Sequence, residues 1–144
     1  MKKLTAKQIN EFLPRMAFNQ LLGMRLVKTH NDGVTIEIAV RPDMMNGAGV
    51  LHGGVTATMA DAAAGIATNR ELGGARGITT VELKINYFRP VSKGHVRARS
   101  HILRAGKTLV VSRVDLTDSE KKLIGSALVT YIILDAPSTL VNPA

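Results

Sequence analysis

Cysteine and tryptophan are absent from the 144-residue chain, and its aromatic side chains are limited to three phenylalanines and two tyrosines. Without cysteine there is no disulfide, no thiolate nucleophile and no Cys-ligated zinc. So few aromatic rings argue against a platform on which nucleic-acid bases stack. No apolar run approaches the roughly 18 residues of a membrane helix, and the polar start lacks the apolar core of a signal peptide. We therefore expect a cytoplasmic protein with no membrane and no nucleic-acid partner.

Acidic residues are also scarce: 11 Asp and Glu stand against 19 Lys and Arg, which gives a formal net charge of +8. This excess predicts either an anionic partner or a basic, solvated surface. Nucleic acid and a small phosphorylated ligand both have the required charge, and the small ligand needs less of it to bind. The length corresponds to one domain, and a hydrophobic fraction of 45% is enough for a core.

The spacing of apolar residues predicts an α+β domain. Two short helices, over 4–13 and 15–22, precede two strands, over 24–30 and 34–40. A long helix follows from about His52 to Leu72, and small apolar residues on every side of it indicate that it is buried on every side. Four further strands are predicted over residues 76–88, 94–104, 108–117 and 122–134. The economical arrangement is one central helix wrapped by a curved antiparallel sheet of about six strands.

This pattern divides the chain into three parts. Residues 1–22 form a helical lead-in, residues 23–134 form the main domain, and residues 135–144 are expected to be a flexible tail.

One carboxylate, Asp61, interrupts the apolar helix. A buried carboxylate is costly unless a partner pairs with it or a reaction uses it. The helix offers it no charged partner within one turn. Asp61 is therefore either paired with a group from elsewhere in the fold or a functional acid.

The helix begins with His52-Gly53-Gly54. Glycines at this point let a ligand approach the backbone closely. The free N–H groups of the first turn and the positive end of the helix dipole suit an anion or a polarised carbonyl, as in an oxyanion hole. The alternative is a turn that simply needs glycine, with His52 as a structural polar residue.

The spacing of these two features limits how they can work together. Asp61 lies eight residues beyond Gly53, which is about 12 Å along the helix axis. The acid therefore cannot reach a carbonyl held at the N-terminus of its own helix. If both serve one reaction, they come from two antiparallel helices, and the chain has only one such helix. The site would then form between two copies of the chain, twice in a two-fold dimer.

Further candidates lie in the loops and strands around the helix. Asn46 is either a turn former or an amide that orients a water or the acid. Thr79 and Thr80 begin a strand, where hydroxyls are usually just strand formers. A phosphate-binding subset of the basic residues is expected near Arg89 and in the loop 104–107.

Taken together, these residues resemble those of hotdog-fold acyl-CoA thioesterases of the phenylacetate-degradation, or PaaI-like, branch. The matching features are Asn46, His52-Gly53-Gly54, Asp61, the strand end Tyr87-Phe-Arg-Pro90 and Gly106-Lys107-Thr108. The resemblance covers about residues 20–134. It implies hydrolysis of an acyl- or aryl-CoA thioester to free acid and CoA, with CoA as part of the substrate and no metal or other cofactor. It also implies a homodimer, commonly paired into a homotetramer, in which strands of two subunits form one sheet.

The resemblance also implies a role for each matched residue around the helix. Gly53 would supply the N–H that polarises the thioester carbonyl. Asp61 from the partner subunit would act as the nucleophile or as the general base for water. His52 would orient the thioester or the loop around it, and Asn46 would position the water or the acid.

Two further roles follow from the same resemblance. A hydroxyl that relatives carry after the helix falls at Thr80, or at Thr79 if the alignment shifts by one. The 3′-phosphate and pyrophosphate of CoA would be held by the basic loops, through Arg89, Arg104 and Lys107.

Three other functions remain open. A hydratase or dehydratase of acyl thioesters on the same fold would arrange its catalytic His and acid differently, and His52 directly before Gly-Gly favours hydrolysis. A non-catalytic acyl-CoA-binding hotdog protein would usually lack an acid such as Asp61. A nucleic-acid binder would account for the net charge of +8 and would give a steeply salt-dependent gel shift.

Overall fold

A computed structural model describes residues 1–140 of the chain. Two short helices lead into the sheet, α1 (Ala6–Phe12) and α2 (Ala17–Leu21), separated by a 3-10 turn at Leu13–Arg15. Thr5 caps α1 by accepting a hydrogen bond from the Gln8 N–H, while the Gln8 side chain accepts one from the Thr5 N–H. A proline in the 3-10 turn fixes the backbone between the helices. Both helices lie where the apolar spacing predicts them.

Six strands form one antiparallel sheet. They are β1 (Arg25–His30), β2 (Gly33–Ala39), β3 (Arg76–Tyr87), β4 (His95–Ala105), β5 (Leu109–Thr117) and β6 (Leu123–Pro137). The spatial order is β1-β2-β4-β5-β6-β3, so β1 and β3 are the edges of a curved, unclosed sheet.

The long helix α3 (Gly53–Glu71) lies against one face of this sheet and contacts every strand except β1 closely. Its middle turns are buried, and Met59 is completely enclosed. Along β2, the alternate residues Val34, Ile36 and Ile38 face the helix and are at most 1% exposed. Each fully buried aliphatic side chain of this kind contributes about 1.5–3 kcal/mol. The predicted α+β architecture, one buried central helix wrapped by a six-stranded antiparallel sheet, is confirmed.

The last strand ends later than the sequence predicts. β6 continues past the predicted end at Leu134 as far as Pro137. The extension is held by Arg76 at the start of β3, whose guanidinium donates to the Leu134 carbonyl at 2.7 and 2.9 Å. Beyond it, Leu140 packs against the core. Residues 141–144 of the predicted tail lie outside the described residues, and the three-part division of the chain stays a prediction.

The sheet face turned away from α3 carries ion pairs in which some of the basic side chains bind acidic ones. Asp32 accepts hydrogen bonds from Arg99 and lies 3.0 Å from His101 Nδ1. Burial alone would raise the pKa of Asp32, but the bonds from Arg99 and His101 outweigh burial and lower the pKa to about 2. Glu37 accepts a hydrogen bond from Arg97 at 2.6 Å. These arginines therefore have structural partners within the chain.

Candidate active site

The N-terminus of α3 presents one free backbone donor. His52 is the N-cap, and its Nδ1 accepts a hydrogen bond from the Gly54 N–H at 2.9 Å. The His52 N–H donates to the Met44 carbonyl, and the Val55 N–H donates to the His52 carbonyl, both at 2.9 Å. Among residues 1–140, the Gly53 N–H has no acceptor. The positive end of the helix therefore offers the Gly53 N–H to a ligand.

The ring of His52 has a defined tautomer at this helix start. Because Nδ1 accepts an N–H, the neutral imidazole carries its proton on Nε2. A Cβ at position 54 would lie 2.9 Å from His52 Nδ1, so glycine at this position lets the ring reach the backbone. The Nε2–H of this exposed residue donates to no acceptor in the described part of the chain. His52 is thus a structural cap with one donor still available.

A cavity of about 370 Å³ opens beside the Gly53 N–H. Tyr87, at the end of β3, lines it and donates its hydroxyl proton to the Gly53 carbonyl at 2.6 Å. Burial raises the pKa of Tyr87, so this hydroxyl stays a donor at neutral pH. Arg89 lines the same cavity, whose other walls are largely apolar. One cavity is therefore lined by a cation and by Gly53, the residue whose N–H has no acceptor among residues 1–140.

Asp61 is half-buried farther along α3, and two hydroxyls donate to the same oxygen of its carboxylate. Thr80 Oγ1 donates to Oδ1 at 2.8 Å, and the Tyr131 hydroxyl donates to Oδ1 at 2.9 Å. The Tyr131 hydroxyl also lies 3.0 Å from the Asp61 carbonyl oxygen. Within residues 1–140, Oδ2 accepts no hydrogen bond. The carboxylate thus has one oxygen held in place and one oxygen available.

Sequence reasoning finds Thr80 through the family resemblance but misses Tyr131. The two residues lie directly opposite each other where β3 pairs with β6, so both hydroxyls reach α3 from neighbouring strands. A signal was present: Tyr131 lies on the inward face of β6 with Ala127 and Val129. A tyrosine hydroxyl on such an apolar face needs a buried partner, and Asp61 was the buried acid without one.

A second cavity, of about 340 Å³, runs along the face of α3 that carries Asp61. Its helix wall consists of residues three or four positions apart: Thr58, Asp61, Ala62, Gly65 and Asn69. Apolar side chains form much of the opposite wall: Met16, Phe18, Ile78 and Leu140. Gly53 and Asp61 therefore line different cavities of one chain, as their separation of about 12 Å predicts.

Asn46 lines neither of these cavities. Its Oδ1 accepts hydrogen bonds from the N–H groups of Ala48 and Val50, at 2.9 and 3.3 Å. The side chain therefore shapes the loop that precedes α3. Within one chain, Asn46 makes no hydrogen bond to Asp61.

The three basic residues expected to hold CoA phosphates lie at two ends of the sheet. Arg89 follows the end of β3, where the paired residue of β6 is Gly125. Arg104 and Lys107 belong to the β4–β5 hairpin, where the start of β5 pairs with Ile132. From Gly125 to Ile132 the strand advances seven residues, about 23 Å. One chain alone therefore does not gather the three basic residues.

Residues 1–140 also bear on metal binding and on membrane insertion. This part of the chain has no group of three or more His, Cys, Asp or Glu that could hold a metal ion. None of its helices combines the length and the hydropathy needed to cross a membrane.

Comparison with known proteins identifies the class. Residues 48–124, which include α3 and strands β3 to β5, match the family model described as Thioesterase superfamily. The chain belongs to the thioesterase superfamily, a family of thioester hydrolases.

Individual relatives agree with this class. The medium/long-chain acyl-CoA thioesterase YigI of Escherichia coli K12 is 31% identical over 137 residues, covering 85% of this chain and 88% of the relative. The solved structure of thioesterase HI1161 from Haemophilus influenzae has a TM-score of 0.85 at 24% identity, covering 99% of this chain and 97% of that one. The PaaI protein from the phenylacetic acid degradation operon of E. coli has a TM-score of 0.81 at 18% identity, covering 92% and 97%. The predicted resemblance to hotdog-fold thioesterases is confirmed.

Proposed function

We propose that the protein hydrolyses an acyl-CoA thioester to the free acid and CoA, at a site shared by two subunits. The observation that carries the proposal is a free N–H at the start of α3 combined with a carboxylate on the same helix that keeps one oxygen available. A thioester is already activated, so one aimed N–H and one positioned carboxylate supply much of the catalysis. The name of YigI, a medium/long-chain acyl-CoA thioesterase, supports the substrate class.

The Gly53 N–H would bind the thioester carbonyl oxygen. Negative charge develops on that oxygen as the tetrahedral intermediate forms, and the positive end of the α3 dipole stabilises it. The free Nε2–H of His52 would orient the thioester beside it. Removing one donor of this kind costs about 10²–10³ in kcat.

Asp61 of the partner subunit would deliver the attack. In one route Oδ2 takes a proton from the water that adds to the carbonyl carbon, and the C–S bond breaks to give the free acid and the CoA thiolate, which receives the proton. In the other route Oδ2 itself adds to the carbonyl carbon, C–S cleavage releases CoA and leaves an Asp61–acyl anhydride, and water then hydrolyses the anhydride to the free acid and regenerates Asp61. Overall one water is consumed, and one acid and one CoA thiol are released. The amide NH₂ of Asn46, which the loop hydrogen bonds leave unused, would position the water.

Antiparallel pairing of two β3 edges would build this shared site. β3 is an edge strand of 12 residues, and Val81 on it is 54% exposed. A long unpaired edge is a template for pairing with another chain. Thr80 marks the Asp61 end of β3 and Tyr87 the Gly53 end. A two-fold axis between them would therefore set the Asp61 end of each chain against the Gly53 end of the other.

The same pairing would gather the basic residues. Arg89 lies at the Gly53 end of one subunit, and Arg104 and Lys107 lie at the Asp61 end of the other. We propose that these residues hold the 3′-phosphate and pyrophosphate of CoA, because guanidinium and ammonium groups are the usual phosphate partners.

The cavity along α3 would take the acyl group. Asp61 lines this cavity, which has a volume of about 340 Å³ and has apolar side chains over much of its wall. An aliphatic acyl chain fits this lining better than a charged one.

Two such dimers paired into a homotetramer, in the cytoplasm, complete the proposal. Support comes from leucines of β5 and β6 that β3 pairing leaves uncovered: Leu109 is 43% and Leu128 is 48% exposed. Sedimentation analysis should give a mass of at least two chains. A monomer that hydrolyses acyl-CoA would contradict the shared site.

The substitution Asp61→Asn tests the function. Turnover should fall a hundredfold or more, while binding of CoA is retained. The measurement is thiol release from aryl, short, medium and long acyl-CoAs, and a thiol reagent reports only CoA because the chain has no cysteine. Near-normal turnover by the variant would contradict the role of Asp61. Hydration of an enoyl-CoA by the wild type would favour a hydratase. Binding of acyl-CoA by the wild type without turnover would favour a non-catalytic binding protein.

A further inference from the structure

We propose that Tyr131 is a positioning residue for thioester hydrolysis: together with Thr80 it holds Oδ1 of Asp61 and so assigns the attack to Oδ2. This inference rests on the proposed function. Tyr131 does not serve there as an acid or a base. Its effect on the reaction is exerted through Asp61.

The geometry of the hydroxyl supports this role. Tyr131 is 8% exposed, and its hydroxyl lies 2.9 Å from Asp61 Oδ1 and 3.0 Å from the Asp61 carbonyl oxygen. One hydroxyl thus contacts both the side chain and the main chain of the same residue, which restricts rotation of the carboxylate. Thr80, opposite Tyr131 in the sheet, donates to the same Oδ1 at 2.8 Å. The two donors leave Oδ2 as the oxygen with free lone pairs.

The helix is shaped to let the hydroxyl approach. A Cβ on Gly65, one turn beyond Asp61, would lie 2.6 Å from the Tyr131 hydroxyl oxygen. Such a distance is below any normal contact, so a side chain at position 65 would displace the hydroxyl. Glycine in the middle of a helix is unfavourable for helix formation. Its presence here is explained by the space that Tyr131 needs.

The protonation state of Tyr131 fits a permanent donor. Burial, and next the negative charge of Asp61, raise the pKa of Tyr131. The hydroxyl therefore keeps its proton throughout the pH range in which thioesters are assayed. Among the described residues that line this cavity from α2, α3, β3 and β6, only Asp61 and Tyr131 titrate. In the shared site the other charged or titratable groups would be His52, Tyr87 and Arg89 of the second subunit and Arg104 and Lys107 of the same subunit, and all of them are the same in wild type and variants.

The substitution Tyr131→Phe tests the inference. It keeps the ring in the core and removes one hydrogen bond to a charged carboxylate, so kcat should fall by about tenfold or more with little change in KM. Because that bond stabilises the charged carboxylate, its loss should move the acid limb of kcat/KM to higher pH. Titration of the Asp61 carboxyl carbon by NMR should show the same displacement without relying on activity.

Two further variants sharpen the test. Gly65→Ala keeps the tyrosine but moves its hydroxyl, so the acid limb should shift in the same direction. Ser126→Ala removes a hydroxyl–carboxylate bond on the same strand, 3.0 Å from Ser126 to Asp115, on the opposite face of the sheet. It should leave the pH profile unchanged.

The outcomes separate this inference from the proposed function. If Asp61→Asn is inactive and Tyr131→Phe keeps the wild-type acid limb, the positioning role is wrong and the function stands. A lower kcat or a lower melting temperature without a shifted limb also overturns the inference, because it would indicate only a packing role. If Asp61→Asn stays active, the proposed function itself fails.

Discussion

Replacing Gly53 with proline removes the backbone donor on which the proposed mechanism depends. Gly53 is the first residue of α3, a position where proline is favourable because the missing N–H has no partner within the helix. The preceding residue, His52, has φ −59° and ψ 130°, which is the extended conformation that a following proline requires. The helix should therefore form, and the variant should lack the N–H while the proline ring adds Cβ, Cγ and Cδ.

The size of the effect follows from the role of that N–H. Loss of one oxyanion donor should lower kcat by about 10²–10³, equivalent to about 2.7–4 kcal/mol. The matched control is Gly53→Ala, which keeps the N–H and adds the same Cβ. That Cβ would lie 3.2 Å from the ring of Tyr87, so the ring must move by a few tenths of an ångström. We expect alanine to cost less than about tenfold in kcat, since modest repacking costs roughly 1 kcal/mol.

The assay compares thiol release by Gly53→Pro and Gly53→Ala at saturating acyl-CoA, after circular dichroism has shown equal helix content. Proline should be slower than alanine by at least about tenfold, given the size of an oxyanion contribution. Equal kcat values for the two variants would refute the assignment of the Gly53 N–H, because both variants add a Cβ and only proline lacks the N–H.

Two other predictions concern the acyl cavity and the pH dependence of stability. Ala62→Leu places three more carbon atoms in the cavity along α3. The value of kcat/KM should therefore fall by about tenfold or more for the longest accepted acyl chains and little for short ones. An equal loss for all chain lengths would contradict acyl binding in this cavity. Asp32→Asn should lower the urea midpoint at pH 7, because the folded-state pKa of Asp32 is lowered from 3.8 to about 2. That contribution is present above pH 3.8 and is lost as the pH falls towards 2, so the two urea midpoints should converge over this window. The effect should be small because the Asp32 side chain is 44% exposed, and a difference that persists at pH 2 would contradict its electrostatic origin.

The fold was predictable because hydrophobic periodicity determines most of it. The apolar run gave the helix from His52 to Leu72 within one residue of the observed Gly53–Glu71. Alternation over 34–40 and 81–87, and turn residues between the remaining apolar runs, gave the six strands. The end of β6 was not predictable from its own residues. Arg76, far away in sequence, stabilises the extension beyond Leu134.

The candidate site, like the fold, was predictable from the sequence only in part. Its separation into two halves follows from helix rise alone, since Gly53 and Asp61 are about 12 Å apart on one helix. The partners of Asp61 are not readable locally, because Thr80 and Tyr131 lie 19 and 70 residues away and meet it only through the pairing of β3 with β6. The capping bond of His52 depends likewise on backbone angles that a sequence does not display.

Mixing two inactive variants tests the central claim most directly. One parent carries Gly53→Pro and the other Asp61→Asn, each with its own affinity tag, so that mixed dimers can be isolated. In a mixed dimer, one of the two sites combines an intact Gly53 with an intact Asp61. We predict that purified mixed dimers recover about half of the wild-type turnover per dimer, as expected for two independent sites related by a two-fold axis. Verified mixed dimers no more active than either parent would contradict a site shared between subunits.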